Sequence, residues 1–303
     1  MSVTATAPAK INLALVVGPR RADGFHDLAT VYQAIDLLDE VSVESAAPGS
    51  GISVRLLGHE TVGVPASTNN IAAKAAALVA REAGVPADFD ITITKNIPTA
   101  GGMAGGSADA GAALLATDAL LNADLGRDAL LVLAAQLGSD VPFSLVGNTA
   151  VGTGRGEIVV PTLARGEFHW VIAMAHSQLA TPSVFAQLDL MRTDADIPTP
   201  AVPVDLAQAL VAGDVEALSN ALVNDMQPAT LALRPELQRT LDAGTEAGAL
   251  AALISGSGPT TLFLARDEEH AIDLAVMLSS ADVCRAVRRA SGPVPGARIV
   301  DRT

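Results

Sequence analysis

The segment PTAGGMAGGSADAG, residues 98–111, constrains this chain most, because five of its fourteen positions are glycine. A backbone lacks side chains at this density where it turns sharply or lies directly against another group. The alternating stretch DFDITITKN, residues 88–96, predicts a strand before it, and the alanine-rich stretch after it predicts a helix over 106–121. The sequence therefore predicts a glycine loop that joins a strand to the N-terminus of a long helix.

Several interpretations of this glycine loop compete. A dinucleotide-binding G-x-G-x-x-G motif needs glycine where Met103 stands, and a Walker A loop needs lysine and serine or threonine where Ser107 and Ala108 stand. Two interpretations remain open: the glycines permit close packing of a helix on a sheet, or their backbone cradles an anion at the helix N-terminus. Ser107 fits either a helix cap or a ligand of a phosphate or metal.

Composition narrows the class of ligand and the compartment. The chain has 303 residues and a formal net charge of -14, which argues against a nucleic-acid or an anionic-membrane surface. Its single cysteine, Cys284, excludes an internal disulfide and fits a reducing compartment, and no apolar run has the length of a membrane span. We expect a cytoplasmic protein without nucleic-acid or membrane partners.

The order of predicted elements indicates an α+β chain of two domains, residues 1–160 and 161–303. A helix is predicted over 68–84, and a hairpin is predicted between residues 41–45 and 51–58. From residue 235 onward, the pattern of helix, strand, glycine turn, strand, helix and strand is typical of half of a split βαβ sandwich.

Three motifs in order resemble those of the GHMP kinases. IPTAGGMAGGSADAG (97–111) resembles their phosphate-binding loop, APAKINLAL (7–15) their first motif and SGSGPTTLF (255–263) their third. The resemblance implies an N-terminal domain like domain 2 of ribosomal protein S5, a C-terminal ferredoxin-like sandwich, and use of ATP with Mg²⁺. It also implies ATP contacts by the following residues, with Ser107 as a candidate magnesium ligand: Asn70, Lys95, Pro98, Thr99, Ala100, Gly101, Gly102, Met103, Ala104, Gly105, Gly106, Ser107 and Ala108.

Two further stretches are similar to one branch of the family. RRADGFHDLATVYQAIDLLD (20–39) resembles its R-x-D-G-Y-H-x-L-x-T-x-F-Q segment, and LGSDVPFSLVGNTAVGTGRGE (137–157) resembles its G-A-D-V-P-F-F…G-x-G-E segment. That branch uses ATP to phosphorylate the 2-hydroxyl of a CDP-linked methylerythritol in the non-mevalonate route to isoprenoid precursors. The rivals are a homoserine or mevalonate-route kinase of the same family, an oxidoreductase, and a non-catalytic ligand sensor with this fold.

The resemblance gives roles to Lys10 and Asp140. It implies that Asp140 is the base that accepts the substrate hydroxyl proton and that Lys10 is its charge partner. The residues alone leave simpler alternatives open. Asp140 before Val141 and Pro142 fits a helix N-cap, and Lys10 fits a solvated lysine at the end of a strand.

For the substrate, the resemblance implies contacts by Asn12, Phe25, His26, Thr181 and Pro182. Phe25 replaces the usual tyrosine of the branch, which keeps a ring face for stacking on cytosine but loses any contact through a phenol oxygen. The simpler alternative for His26 is a structural histidine. The expected partner is this small molecule, with the chain a monomer or a weak homodimer.

Overall fold

The computed structural model describes residues 1–99, 101–193 and 195–303. Over these ranges the helices are α1 Ile71–Glu82, α2 Gly105–Leu121, α3 Arg127–Leu137, α4 Val141–Val146, α5 Thr181–Met191, α6 Val204–Ala212, α7 Val215–Ala221, α8 Gln227–Leu233, α9 Leu237–Glu246 and α10 Glu268–Ser280. The strands are β1 Ser2–Arg20, β2 His26–Ser45, β3 Ile52–Gly58, β4 Phe89–Lys95, β5 Thr149–Thr153, β6 Ile158–Pro161, β7 Phe168–Met174, β8 Val223–Asn224, β9 Ala251–Ile254, β10 Thr261–Ala265, β11 Ala286–Gly292 and β12 Arg298–Arg302.

The first sheet is built on the long antiparallel pair of β1 and β2. Its main path runs β12-β1-β2-β4-β3, and β5 extends it from the other end of β2. Residues 7–15 of β1 are all buried, because helices cover one face and other segments cover the other. Helix α2 packs on β1 and β2, and helix α1 packs mainly on α2, with small buried side chains such as Ala75, Ala76 and Ala112 in the core between these elements.

The predicted hairpin between residues 41–45 and 51–58 is wrong. Strand β4 lies between the two segments, pairing antiparallel with β2 and parallel with β3. The apolar side chains Ile91 and Ile93 of β4 are fully buried, whereas alternate positions of β3 are exposed. The more buried strand thus takes the inner position, and β3 takes the edge.

The second sheet contains β7, β9, β10 and β11 in the order β11-β7-β10-β9, with each neighbouring pair antiparallel. Helices α9 and α10 cover it around the buried side chains of Phe263, Leu274 and Leu278. The α+β class is confirmed. No helix in the described part of the chain combines the length and apolar composition needed to cross a bilayer.

Two later segments return to the first sheet. Strand β12 pairs with the start of β1, and the short strand β8 pairs in parallel with Ala14 and Leu15 in its middle. The division of the chain at residues 160 and 161 stays a prediction. Strand β1 therefore pairs both with β2, which follows it in the chain, and with β8 and β12 from the second half of the chain.

Candidate active site

The glycine loop joins β4 to α2 as expected. Ala104 precedes the helix in the left-handed conformation, with φ of 57°, and α2 begins at Gly105 without a side-chain cap. Ser107 is therefore the third residue of the helix and not its cap. The N–H groups of an uncapped first turn carry partial positive charge, which suits an anion.

Part of the glycine content is explained by packing. Gly102 has a positive φ, and a Cβ on it would overlap the carbonyl oxygen of Ser255 in the SGSGP segment. The hydroxyl of Ser255 in turn donates a hydrogen bond to the carbonyl of Gly102 at 3.2 Å. A Cβ on Gly101 would lie 2.7 Å from the Thr260 hydroxyl. The two glycine-rich segments therefore fit directly against one another.

Gly101 and Gly102, together with Gly105 and Gly106 at the start of α2, also line a cavity of about 1030 Å³. Both halves of the chain line this cavity, through the glycine loop, β1, the segment before β2, helix α5 and the SGSGP segment. The predicted site residues in its lining are Lys10, Asn12, Phe25, His26, Pro98, Gly101, Gly102, Ala104, Gly105, Gly106, Asp140, Thr181 and Pro182. The structure thus brings most of the predicted nucleotide, catalytic and acceptor residues to one cavity.

Lys10 and Asp140 lie next to each other in the lining of this cavity. The Lys10 ammonium lies 3.8 Å from Asp140 Oδ2, and the lysine side chain is buried while the aspartate is about one third exposed. Asp140 occupies the residue before α4, yet its side chain makes no capping hydrogen bond. The capping alternative therefore does not account for its carboxylate, and Lys10 is not the solvated lysine of the simpler alternative.

Two polar neighbours complete this pair. Lys10 Nζ donates to Asn12 Oδ1 at 2.7 Å, and Asn12 Nδ2 donates to the Thr30 hydroxyl at 2.7 Å, so the asparagine is held at both ends. The hydroxyl of Tyr32 donates to Asp140 Oδ1 at 3.1 Å. Burial, followed by the Asp140 carboxylate, raises the pKa of Tyr32 well above its usual 10.

The far end of the cavity is aromatic. The ring of His26 stacks on Phe185 of α5 with centroids 5.0 Å apart, and its Nε2 lies 2.7 Å from Asp189 Oδ1. Phe25 is 51% exposed, and the guanidinium of Arg155 lies 5.0 Å from its ring centroid. An aromatic ring with this exposure is available to a ligand, unlike a core phenylalanine.

Helix α5 begins at Thr181 and Pro182, the last two residues for which substrate contacts are predicted. Thr181 and Pro182 form its first turn, and the Thr181 hydroxyl lies 2.8 Å from the hydroxyl of Ser257. This contact joins α5 to the SGSGP segment, which also borders Lys10 and Asn12. The SGSGP segment therefore connects the glycine loop, the Lys10–Asp140 pair and helix α5.

Comparison with known proteins places this geometry in a family. The model of the GHMP kinases N terminal domain matches residues 70–148, and that of the GHMP kinases C terminal matches residues 206–283. The chain is 52% identical to a 4-diphosphocytidyl-2-C-methyl-D-erythritol kinase of Rhodococcus jostii (strain RHA1), over 99% of this chain and 95% of that protein. The chain belongs to the GHMP kinase family. The resemblance to the branch that includes this relative is confirmed.

Solved structures of other proteins have the same fold as this GHMP kinase. A crystal structure of 4-(cytidine 5'-diphospho)-2C-methyl-D-erythritol kinase superimposes with a TM-score of 0.76 and 32% identity, covering 96% of this chain and 98% of the other. A homoserine kinase from Cytophaga hutchinsonii ATCC 33406 gives a TM-score of 0.74 at 18% identity, covering 99% and 97%, and shows the shared fold alone.

Several predicted nucleotide residues of this GHMP kinase lie away from the cavity lining. Lys95 is buried between Asp39 and Asp109. Asn70 caps α1, accepting from the Ala72 N–H and donating to the Pro65 carbonyl. The others are Thr99, whose hydroxyl donates to the Glu60 carbonyl, the buried Met103 and Ala108, and Ser107. Ala100 lies outside the described residues.

The cavity residues of this GHMP kinase that were not predicted from the sequence include Tyr32, Arg155, Phe185 and Asp189. For the last two a signal existed, because they lie four residues apart in the helix that begins at Thr181 and so share its face. For Tyr32 the signal was weaker: it is the single tyrosine of the chain. Arg155 carried no signal that separates it from other loop arginines.

Proposed function

We propose that this enzyme transfers the γ-phosphoryl group of ATP to the 2-hydroxyl of 4-diphosphocytidyl-2-C-methyl-D-erythritol. The observation that carries the proposal is the position of the Lys10–Asp140 pair, which lies in the same cavity as the glycine loop and the aromatic end. A phosphoryl donor at the loop and an acceptor at the aromatic end would meet at this pair. The match of the relatives over nearly the whole chain supports the choice of acceptor.

In this proposal Asp140 is the base, and Lys10 holds positive charge beside the reacting hydroxyl. Phosphoryl transfer depends chiefly on positioning and on stabilisation of charge, and a base typically adds about 10²–10⁴-fold. The uncapped N-terminus of α2 suits the phosphates, since its free N–H groups point along the helix axis. Asn12, held by Lys10 and Thr30, keeps the ammonium directed toward the cavity.

Magnesium fits the site only as an ion that arrives with the nucleotide. The described residues contain no group of three or more histidine, cysteine or acidic side chains able to hold a metal. Mg²⁺ typically takes few protein ligands and keeps phosphates and waters in its shell, where it neutralises phosphate charge. Ser107, in the first turn of α2, is the candidate protein ligand of this proposal.

The activity is tested with a panel of acceptors. With ATP and magnesium, we expect ADP release with 4-diphosphocytidyl-2-C-methyl-D-erythritol to exceed that with homoserine or mevalonate by at least about 10²-fold in kcat/KM, because a site that pairs polar groups of its substrate discriminates strongly. A coupled ADP assay measures it, with enzyme and no acceptor as the control. Equal turnover of homoserine or mevalonate would contradict the proposal.

A second prediction concerns Phe25 as a stacking surface for the cytosine. Base–aromatic stacking is worth about 1–3 kcal/mol, so Phe25→Leu should raise KM for the CDP substrate by roughly 5- to 100-fold. KM for ATP should stay within about twofold, and the melting temperature should hold because the ring is exposed. Steady-state kinetics with each substrate varied in turn measures both constants.

Phe25→Tyr is the matched control for this prediction. It keeps the ring face and restores the usual residue of the branch, so we expect KM for the CDP substrate to be unchanged or lower. If both variants lose stability while both KM values stay the same, Phe25 contributes to packing and not to the substrate site.

A further inference from the structure

The Tyr32 side chain lies against the carboxylate that the proposed mechanism uses. It is 2% exposed and belongs to β2, whereas Asp140 precedes α4, more than a hundred residues later. The hydroxyl of Tyr32 donates to Oδ1 of Asp140 at 3.1 Å, and Oδ2 lies 3.8 Å from Lys10 Nζ. Each oxygen of the carboxylate therefore has its own neighbour.

The space around Tyr32 is shaped for its ring and hydroxyl. A Cβ on Gly156 would overlap the phenol oxygen, and a Cβ on Gly152 would lie 2.5 Å from the ring carbon Cε2. On another side, the ring packs against Phe143 with centroids 4.9 Å apart. Two glycines and one aromatic ring thus fix the direction in which the hydroxyl points.

The hydroxyl proton has two acceptors within reach. The Asp140 carboxylate lies at 3.1 Å and the Gly156 carbonyl at 3.5 Å. The shorter distance and the negative charge both favour the carboxylate, since hydrogen bonds to charged acceptors are the stronger ones. Because burial and Asp140 keep the pKa of Tyr32 well above its usual value, the phenol is protonated at neutral pH and can donate its hydrogen bond.

We infer that Tyr32 is a positioning residue, whose hydroxyl holds Oδ1 of Asp140 so that Oδ2 stays directed at the acceptor hydroxyl beside Lys10. The inference rests on the proposed role of Asp140 as the base. The last torsion of an aspartate is broad, so its carboxylate needs an external contact to hold one orientation. A small misplacement of a reacting group lowers the rate without weakening substrate binding.

The test is Tyr32→Phe, which removes the hydroxyl and keeps the ring. We expect kcat to fall about 5- to 50-fold, since a misplaced group costs up to about 10²-fold. KM for ATP and for the CDP substrate should each stay within about twofold, and the urea midpoint should hold because the ring contacts remain. The same substitution in the D140N background should leave the residual kcat unchanged, because the base is then already lost.

Each possible outcome either supports or overturns the positioning role of Tyr32. An unchanged kcat in Tyr32→Phe, or an equal fall in both backgrounds, overturns the positioning role while leaving the proposed function intact. A large loss of stability in Tyr32→Phe also overturns it, because the hydroxyl would then serve the fold. If D140N alone keeps its kcat, the proposed base fails first, and the inference fails with it.

Discussion

The Asp140→Asn variant is expected to fold normally and to lose about 10²-fold or more in kcat, the contribution typical of a base in proton transfer. Asparagine matches aspartate in size and can still accept from the Tyr32 hydroxyl, but it cannot take a proton. Since the Asp140 side chain makes no capping bond to α4, its replacement removes no backbone hydrogen bond. KM for ATP should change little. Steady-state kinetics and thermal unfolding measure the two effects.

The control for this prediction is Asp128→Asn, a matched change at an exposed carboxylate in the first turn of α3. We expect that variant to keep wild-type kcat. Should Asp140→Asn instead retain full kcat while its melting temperature falls, Asp140 would serve the fold, and another group would have to take the proton.

The second large effect is expected on stability, at the cluster of Lys95, Asp39 and Asp109. The Lys95 ammonium contacts both carboxylates, at 2.8 Å from Asp109 Oδ2, and all three side chains are almost fully buried. The N–H groups of Asn96 and Ile97, which enter the glycine loop, donate to Asp39 at 2.6 and 2.9 Å. The cluster therefore fixes the end of β4 beneath the loop.

The two carboxylates of this cluster, Asp39 and Asp109, have different surroundings. Burial lowers the pKa of Lys95, but the two carboxylates outweigh that effect, and its pKa is raised overall. Burial also raises the pKa of Asp109 well above its ordinary value, and its Oδ1 has no hydrogen-bond partner among the residues that the structure describes. Asp39 accepts three hydrogen bonds, from Lys95 and from the N–H groups of Asn96 and Ile97, whereas Asp109 accepts from Lys95, so we expect Asp39 to be the more important of the two carboxylates.

Lys95→Met should therefore lower the free energy of unfolding by about 3–5 kcal/mol, the usual cost of leaving a buried charge without its partner. Methionine fills much of the lysine stem, so the loss reports on charge more than on a cavity. Urea denaturation followed by circular dichroism measures it. The matched control is Lys74→Met on the exposed face of α1, which should change stability by no more than about 0.5 kcal/mol.

Asp109→Asn separates the two carboxylates of the cluster. Because the pKa of Asp109 is raised, its neutral isostere should cost no more than about 1–2 kcal/mol. If Lys95→Met is as stable as the wild type, the Lys95 ammonium does not stabilise the fold. If Asp109→Asn is the more damaging change, Asp109 and not Asp39 is the more important carboxylate.

Lys10 and Asp140 show what sequence motifs can predict about a site. Lys10 and Asp140 stand in separate motifs, and the resemblance paired them before any geometry was known. The structure leaves them 3.8 Å apart. Phe25 and His26, for which the same resemblance implies substrate contacts, both line the cavity.

The direction of the Lys95 side chain could not be predicted from sequence motifs. The resemblance to the family implies a nucleotide contact for Lys95, yet its ammonium points to Asp39 and Asp109 beneath the loop. The direction of a side chain at a strand end depends on which carboxylates other elements supply. Asp39 comes from β2 and Asp109 from α2, and neither is a neighbour of Lys95 in the chain.

The succession of strand, glycine loop and helix, the α+β class and the family could all be predicted from the amino-acid sequence, because they rest on local periodicity and on motifs of adjacent residues. The contact of Gly102 with the SGSGP segment could not be predicted in this way. Nor could the position of β4 between β2 and β3, or the hydrogen bond from Tyr32 to Asp140. Such contacts join segments distant in the chain. They are selected by burial and shape complementarity in the assembled core, which no local pattern encodes.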